Sequence, residues 1–259
     1  MASDPLRRLI AERLAAQAEA HAVRVLYACE SGSRAWGFPS PDSDYDIRFL
    51  YAHPAAWYVC VEESRDVIET PLEDTPAGLL DLGGWDLRKA FRLARKSNPV
   101  IWEWLQSPVV YQPFDTHTLR QTLDPFDSPI AACHHYLSLS RNTMARELTG
   151  ADVKIKKYFY MLRPLLAAAW IERWRTIPPM EFKPLLVLLD DRADILDAIS
   201  ELLQRKQHTD ERIPIPRLPV LDSFIETEVS RLRDAAPNLP AANGDMQALD
   251  NLLRQLLGV

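Results

Sequence analysis

Two aspartates, Asp44 and Asp46, are the side chains of this chain best placed to do chemistry. They stand at i and i+2 in SDYDIRFLY, a run whose composition reads as a β-strand. Strand side chains point alternately to opposite faces, so the two carboxylates share one face while Tyr45, Ile47 and Phe49 take the other. Carboxylates held side by side repel. A hard dication such as Mg2+, which binds one or two carboxylates together with substrate phosphates, removes that cost. Upstream, VRVLYAC (23–29) predicts a buried strand, and Gly32-Ser33 falls just past its end, where a glycine lets backbone N–H groups come close to an anion. A phosphate cradle beside a metal-binding carboxylate pair is the minimum equipment for phosphoryl or nucleotidyl transfer. By alternation Arg48 shares the Asp44/Asp46 face, where a carboxylate partner, a phosphate or a plain structural ion pair would each suit a guanidinium.

Gly32-Ser33 followed by Ser43-Asp44-Tyr45-Asp46 resembles the GS…DxD signature of the DNA polymerase beta superfamily of nucleotidyltransferases. The longer run SGSRAWGFPSPDSDYDIRF, with GWDLRKAF (84–91), KSNP (96–99) and KKYFYMLRPLLAAAWIE (156–172), is similar to a narrower group, the RNA repair pathway DNA polymerase beta family. The resemblance implies transfer of a nucleoside monophosphate from a nucleoside triphosphate to a hydroxyl, with release of pyrophosphate. It gives Asp44 and Asp46 the role of binding two Mg2+ ions, one activating the acceptor hydroxyl and the other holding the triphosphate. Gly32 and Ser33 are expected at the β- and γ-phosphates, with Arg34 beside them.

A third catalytic and metal-binding carboxylate is expected on a neighbouring strand. Asp81, in the apolar context Leu80-Asp81-Leu82, is the preferred choice. Asp86 opens the following helix, where an N-cap is the commonest role for Asp, and Glu69 precedes a proline at a strand exit. The helix that begins near Lys154 closes over the nucleotide in related two-domain transferases, which makes Lys157 and Arg163 candidates for phosphate contact. The family name implies an RNA end as acceptor. Small-molecule and protein hydroxyls are the alternatives, and a transferase-derived module that only binds RNA or protein is the rival from another class.

These residues need a scaffold. Leu6, Leu9, Ile10 and Leu14 predict a first helix, followed by strands at 23–29, 44–51, near 66–71 and near 79–82. Leu87, Ala90, Phe91 and Ala94 make one face of a helix over 86–97. Arg88, Lys89, Arg92, Arg95 and Lys96 crowd the rest, as a groove wall or a solvated face. The proline-bearing stretch 107–129 shows no clear period and marks a domain junction. Beyond it helices are expected at 130–149, 154–176, 183–207, 219–235 and 244–257. The expected architecture is α+β, a polymerase-beta-like domain with a small mixed sheet (1–120) and an all-helical C-terminal domain (121–259).

Composition narrows the partners. A net charge of −6 argues against a large non-specific nucleic-acid surface while leaving room for a local basic groove. No apolar run has the length of a membrane span, and residues 1–20 carry charges throughout, against a signal peptide. Cys29, Cys60 and Cys133 are odd in number and widely spaced, which suits free thiols and a cytoplasmic location.

Overall fold

Leu6, Ile10 and Leu14 give the first helix, α1 (Asp4–Ala20), one apolar stripe, and all three are buried against a sheet. The computed structural model describes residues 4–208 and 213–259. These fall into two compact units, one of residues 4–35, 44–127 and 243–259, the other of 36–43, 128–208 and 213–242.

The first unit continues with β1 (Arg24–Glu30), α2 (Gly32–Ala35), β2 (Tyr45–Ala52), β3 (Val67–Glu69), β4 (Glu73–Thr75) and β5 (Gly78–Asp86). Then come α3 (Leu87–Arg95), α4 (Val100–Leu105), β6 (Val110–Gln112) and α5 (Thr116–Leu123). The strands form one mixed sheet in the order β3-β5-β2-β1-β6, with β4 also paired to β5. β2 and β5 run parallel, and the other pairs are antiparallel. Ile47, Phe49 and Tyr51 of β2 join Leu80 and Leu82 of β5 in the core beneath α1. The expected alternation of β2 is therefore realised, with its apolar face turned to the core and Asp46 and Arg48 on the other. On that second face Trp85 packs against Trp104 of α4, ring centroids 4.1 Å apart.

β5 is longer than the 79–82 expected. The strand runs on through Gly83 and Gly84, and a Cβ at Gly84 would come within 2.3 Å of the Phe49 ring, so the missing side chain makes room for the aromatic. The proline-bearing stretch likewise contains ordered elements, β6 and α5, the latter capped by Asp115 accepting from Thr118 N at 3.1 Å.

The second unit contains α6 (Pro129–Glu147), β7 (Asp152–Lys154), α7 (Ile155–Trp174), α8 (Phe182–Leu185), α9 (Ala193–His208), β8 (Pro214–Pro216) and α10 (Pro219–Ala235). It is helical as expected, with two differences. The stretch expected as one helix over 183–207 is α8, a 3-10 turn (Leu186–Leu189) and α9, and β7 and β8 pair as a short antiparallel ribbon. Tyr158 links that ribbon region to α10: its hydroxyl donates to Asp222 Oδ1 at 2.8 Å and accepts from Leu218 N at 2.7 Å. The last helix, α11 (Met246–Leu257), lies in the first unit, so the units do not follow a single cut at 120/121. Among the described residues no helix is long and apolar enough to cross a membrane.

Asp127 ends the central segment of the first unit. Burial, reinforced by the nearby Asp124 charge, pushes its carboxyl from 3.8 up to about 6. A carboxyl raised on folding contributes stability that is present below its ordinary pKa and lost as pH rises through about 6. Asp127→Asn should therefore be more stable than the parent at pH 7.5 by on the order of 1–2 kcal/mol, with the gap closing toward pH 4. Urea unfolding at the two pH values checks this; a pH-independent difference would contradict it.

Candidate active site

The site begins where β1 ends. Glu30, only 2% exposed, closes the strand and uses both carboxylate oxygens as struts: Oε1 accepts from Asp46 N at 2.8 Å and Oε2 accepts from Tyr111 Oη at 2.5 Å. Ser31 N donates to Asp46 O at 2.8 Å, so the ends of β1 and β2 are fastened on both sides of Asp46. Burial holds Glu30 above the usual carboxylate range, although the Tyr111 and Asp46 hydrogen bonds act against that shift. Sequence reasoning did not single this residue out. The available signal was an acidic side chain ending an apolar strand next to Ser31-Gly32-Ser33.

After Glu30 the chain must turn sharply, and Gly32 does so with φ +60°. The position also lacks room: a Cβ would lie 1.9 Å from Asp46 Oδ2. Gly32 thus brings bare backbone against the Asp46 carboxylate. Ser33 is buried in the single turn of α2 that follows. Arg34 Nε donates to Asp44 O at 3.0 Å, and its guanidinium lies 3.8 Å over the Tyr45 ring, which fixes its direction. Asp44 itself stands one residue before β2.

Parallel pairing sets Asp46 in register with Asp81, and Arg48 in register with Gly83. Arg48 Nη2 reaches Asp46 Oδ1 at 3.0 Å and Asp81 Oδ2 at 2.7 Å. Its Nη1 donates to Ile47 O at 3.0 Å and to Asp81 O at 3.2 Å, and the side chain passes over Gly83, where a Cβ would stand 3.4 Å from Nη1. One guanidinium therefore bridges two carboxylates on adjacent strands.

The other carboxylates have different partners. Asp86 is fully buried and caps α3, accepting from Arg88 N at 2.8 Å and from Tyr58 Oη at 2.6 Å. Burial raises its pKa. Glu69 is largely exposed at the end of β3 and pairs with Arg65 at 2.7 Å. The structure thus brings Asp46 and Asp81 together at Arg48, with Gly32 against the Asp46 carboxylate. Lys157 and Arg163 belong to the second unit. There Lys157 pairs with Glu147 at 2.8 Å, while Arg163 is 4% exposed, donates to Met180 O at 3.1 Å and lies over Trp36. On the basic face of α3, Lys89 is paired with Asp66 and Arg92 with Glu63, and Arg88 lies over Trp57.

The loop between Gly32-Ser33 and Asp44 is built into the second unit. Phe38 stacks on Phe159 with centroids 4.7 Å apart, and Phe182 N donates to Trp36 O at 2.9 Å. Lys206, only 1% exposed, donates to Ser40 Oγ at 3.1 Å. The signature loop is thus anchored by aromatic packing and a buried cation.

Among the described residues no group of three or more His, Cys, Asp or Glu side chains is gathered as a metal cage. Mg2+ needs fewer protein ligands, often one or two carboxylates completed by water and phosphate oxygens. Asp46 and Asp81 already converge on a cation, the Arg48 nitrogen, so the donor set fits such an ion in type and direction.

Gly32→Ala should place a methyl group inside the Asp46 carboxylate and force a left-handed alanine, costing about 1–2 kcal/mol from the backbone alone. Unfolding by urea should show at least that loss. A variant as stable as the parent would contradict the close approach.

Comparison with known proteins places this chain in a family. The model of the RNA repair pathway DNA polymerase beta family matches residues 6–255. The chain is 44% identical over 250 residues to the uncharacterized protein YcgL of Bacillus subtilis (strain 168), covering 96% of this chain and 95% of that one. Among solved structures, a nucleotidyltransferase-like protein from Exiguobacterium sibiricum 255-15 aligns over 83% of this chain and 69% of its own, at 12% identity and a TM-score of 0.30. With Gly32-Ser33 and Asp44-Asp46 inside a match that runs almost from end to end, the chain belongs to the RNA repair pathway DNA polymerase beta family.

Proposed function

We propose that this chain is a Mg2+-dependent nucleotidyltransferase that moves a nucleoside monophosphate from a nucleoside triphosphate onto a hydroxyl, with an RNA end as acceptor. The observation that carries the reading is the in-register pair Asp46 and Asp81, converging on one cation beside the bare backbone of Gly32. The RNA acceptor rests on the family to which the chain belongs.

In this reading Asp46 and Asp81 hold the metal, joined by Asp44 once metal and triphosphate are bound, and the metal supplies Lewis-acid activation and neutralises charge on the triphosphate. Gly32 and Ser33 contact the β- and γ-phosphates, the first by its backbone N–H and the second by hydroxyl and N–H. Arg34, steered by Asp44 O and the Tyr45 ring, adds positive charge beside them. The acceptor oxygen bonds to the α-phosphorus as the bond to the pyrophosphate oxygen breaks, and Asp81 supports removal of the hydroxyl proton. Lys157, paired with Glu147, and the buried Arg163 are the remaining candidates for phosphate contact.

The test incubates the purified protein with each α-labelled nucleoside triphosphate, Mg2+, and RNA, small-molecule or protein acceptors. Label should appear on RNA with release of pyrophosphate. Asp81→Asn should lower turnover by about two orders of magnitude or more while triphosphate affinity stays within a few fold, the pattern of a lost transition-state interaction. Full activity in Asp46→Asn or Asp81→Asn, or no transfer to any acceptor, would contradict the reading. Label on a small molecule or protein alone would move the acceptor and leave the chemistry in place.

A further inference from the structure

Arg48 occupies the point on which Asp46 and Asp81 converge, through contacts of 3.0 and 2.7 Å from one nitrogen. A metal ion bound by both carboxylates would take that position, and the two cations cannot share it. We infer that Arg48 is an exchangeable counter-ion, which holds the carboxylate pair together when no metal is present and leaves it when metal arrives with a triphosphate. The inference rests on the metal-dependent reading above and adds to it a control on when the metal binds.

The electrostatics carry this. Two carboxylates and one guanidinium leave a single negative charge in excess, so the resting site attracts a lone dication only weakly. Removing the guanidinium would restore two carboxylates side by side and raise the attraction. In the intact protein the displaced Arg48 also loses its two carboxylate partners and needs another anion. A free dication brings none, whereas a metal–triphosphate complex brings phosphate oxygens that a guanidinium can take in a fork. Metal and triphosphate binding are thereby coupled through one side chain. The route for the exchange is open: the Arg48 side chain is 23% exposed and Asp81 37%, and the guanidinium passes over Gly83, which has no side chain to confine it.

Calorimetry with two probes tests the idea, Mn2+ alone and the Mn2+ complex of inorganic tripolyphosphate, which removes dependence on the base. The parent, Arg48→Gln, Arg48→Lys and Asp46→Asn are compared, each checked for folding by circular dichroism. Arg48→Gln should bind Mn2+ alone about tenfold or more tightly than the parent, within the usual span of coupling between sites. Its gain in affinity on going from Mn2+ to Mn–tripolyphosphate should shrink correspondingly. Arg48→Lys, which keeps the charge but not the fork, should fall between the two and serves if the glutamine variant does not fold. Mn2+ affinity that is unchanged or weaker in the folded Arg48 variants, with the parent still binding Mn–tripolyphosphate through Asp46, would overturn the exchange while leaving the metal reading intact. No Asp46-dependent binding of either probe in any protein would overturn both.

Discussion

Two negative charges brought face to face by β-sheet register are the constraint on which this site depends. Parallel strands lie about 4.8 Å apart, and pairing Asp46 with Asp81 puts like charges across that gap. Such a pair needs a cation, and the fold supplies one from the same face of β2, two residues along. Arg48 meets the demand with one nitrogen, Nη2, on both carboxylates, while Nη1 donates to backbone carbonyls on both strands. A face that would otherwise destabilise the sheet becomes a partly neutralised cluster, at the same place where a reaction with phosphates would need positive charge.

Holding the cluster in place is the work of groups outside the carboxylate pair. Glu30 ties the Asp46 amide to β1 and, through Tyr111, to β6, so the first residues of β2 cannot fray away from their neighbours. Gly32 lets the chain turn directly over the Asp46 carboxylate, which no side chain would permit. At the other end of β5, Asp86 falls by alternation on the face opposite Asp81, where its carboxylate caps α3 and holds Tyr58.

Much of this was legible in the sequence, because the signals were local. Alternation in SDYDIRFLY separated the core face of β2 from the polar face, the 3.6-residue stripe of Leu6, Ile10 and Leu14 gave α1, and Asp86 read as a cap. What escaped depended on pairing between distant segments. The register that sets Asp46 against Asp81 arises only when β5 lies parallel beside β2, so no spacing in the chain announces that Arg48 would bridge them. The use of Gly84 as space for Phe49 was hidden for the same reason, since what a strand glycine makes room for depends on its cross-strand neighbour. Arg163 reads as a candidate for phosphate contact on the helix that begins near Lys154, and its contacts with Trp36 and Met180 O come from segments that no local signal announces.

The most direct test of the central claim is a crystal structure of the protein soaked with Mn2+ and tripolyphosphate, read by anomalous scattering at the manganese edge. The account expects an anomalous peak between the Asp46 and Asp81 carboxylates, with the Arg48 guanidinium turned away onto a phosphate oxygen. A peak elsewhere, or phosphate density with Arg48 still bridging both carboxylates and no ion between them, would contradict it.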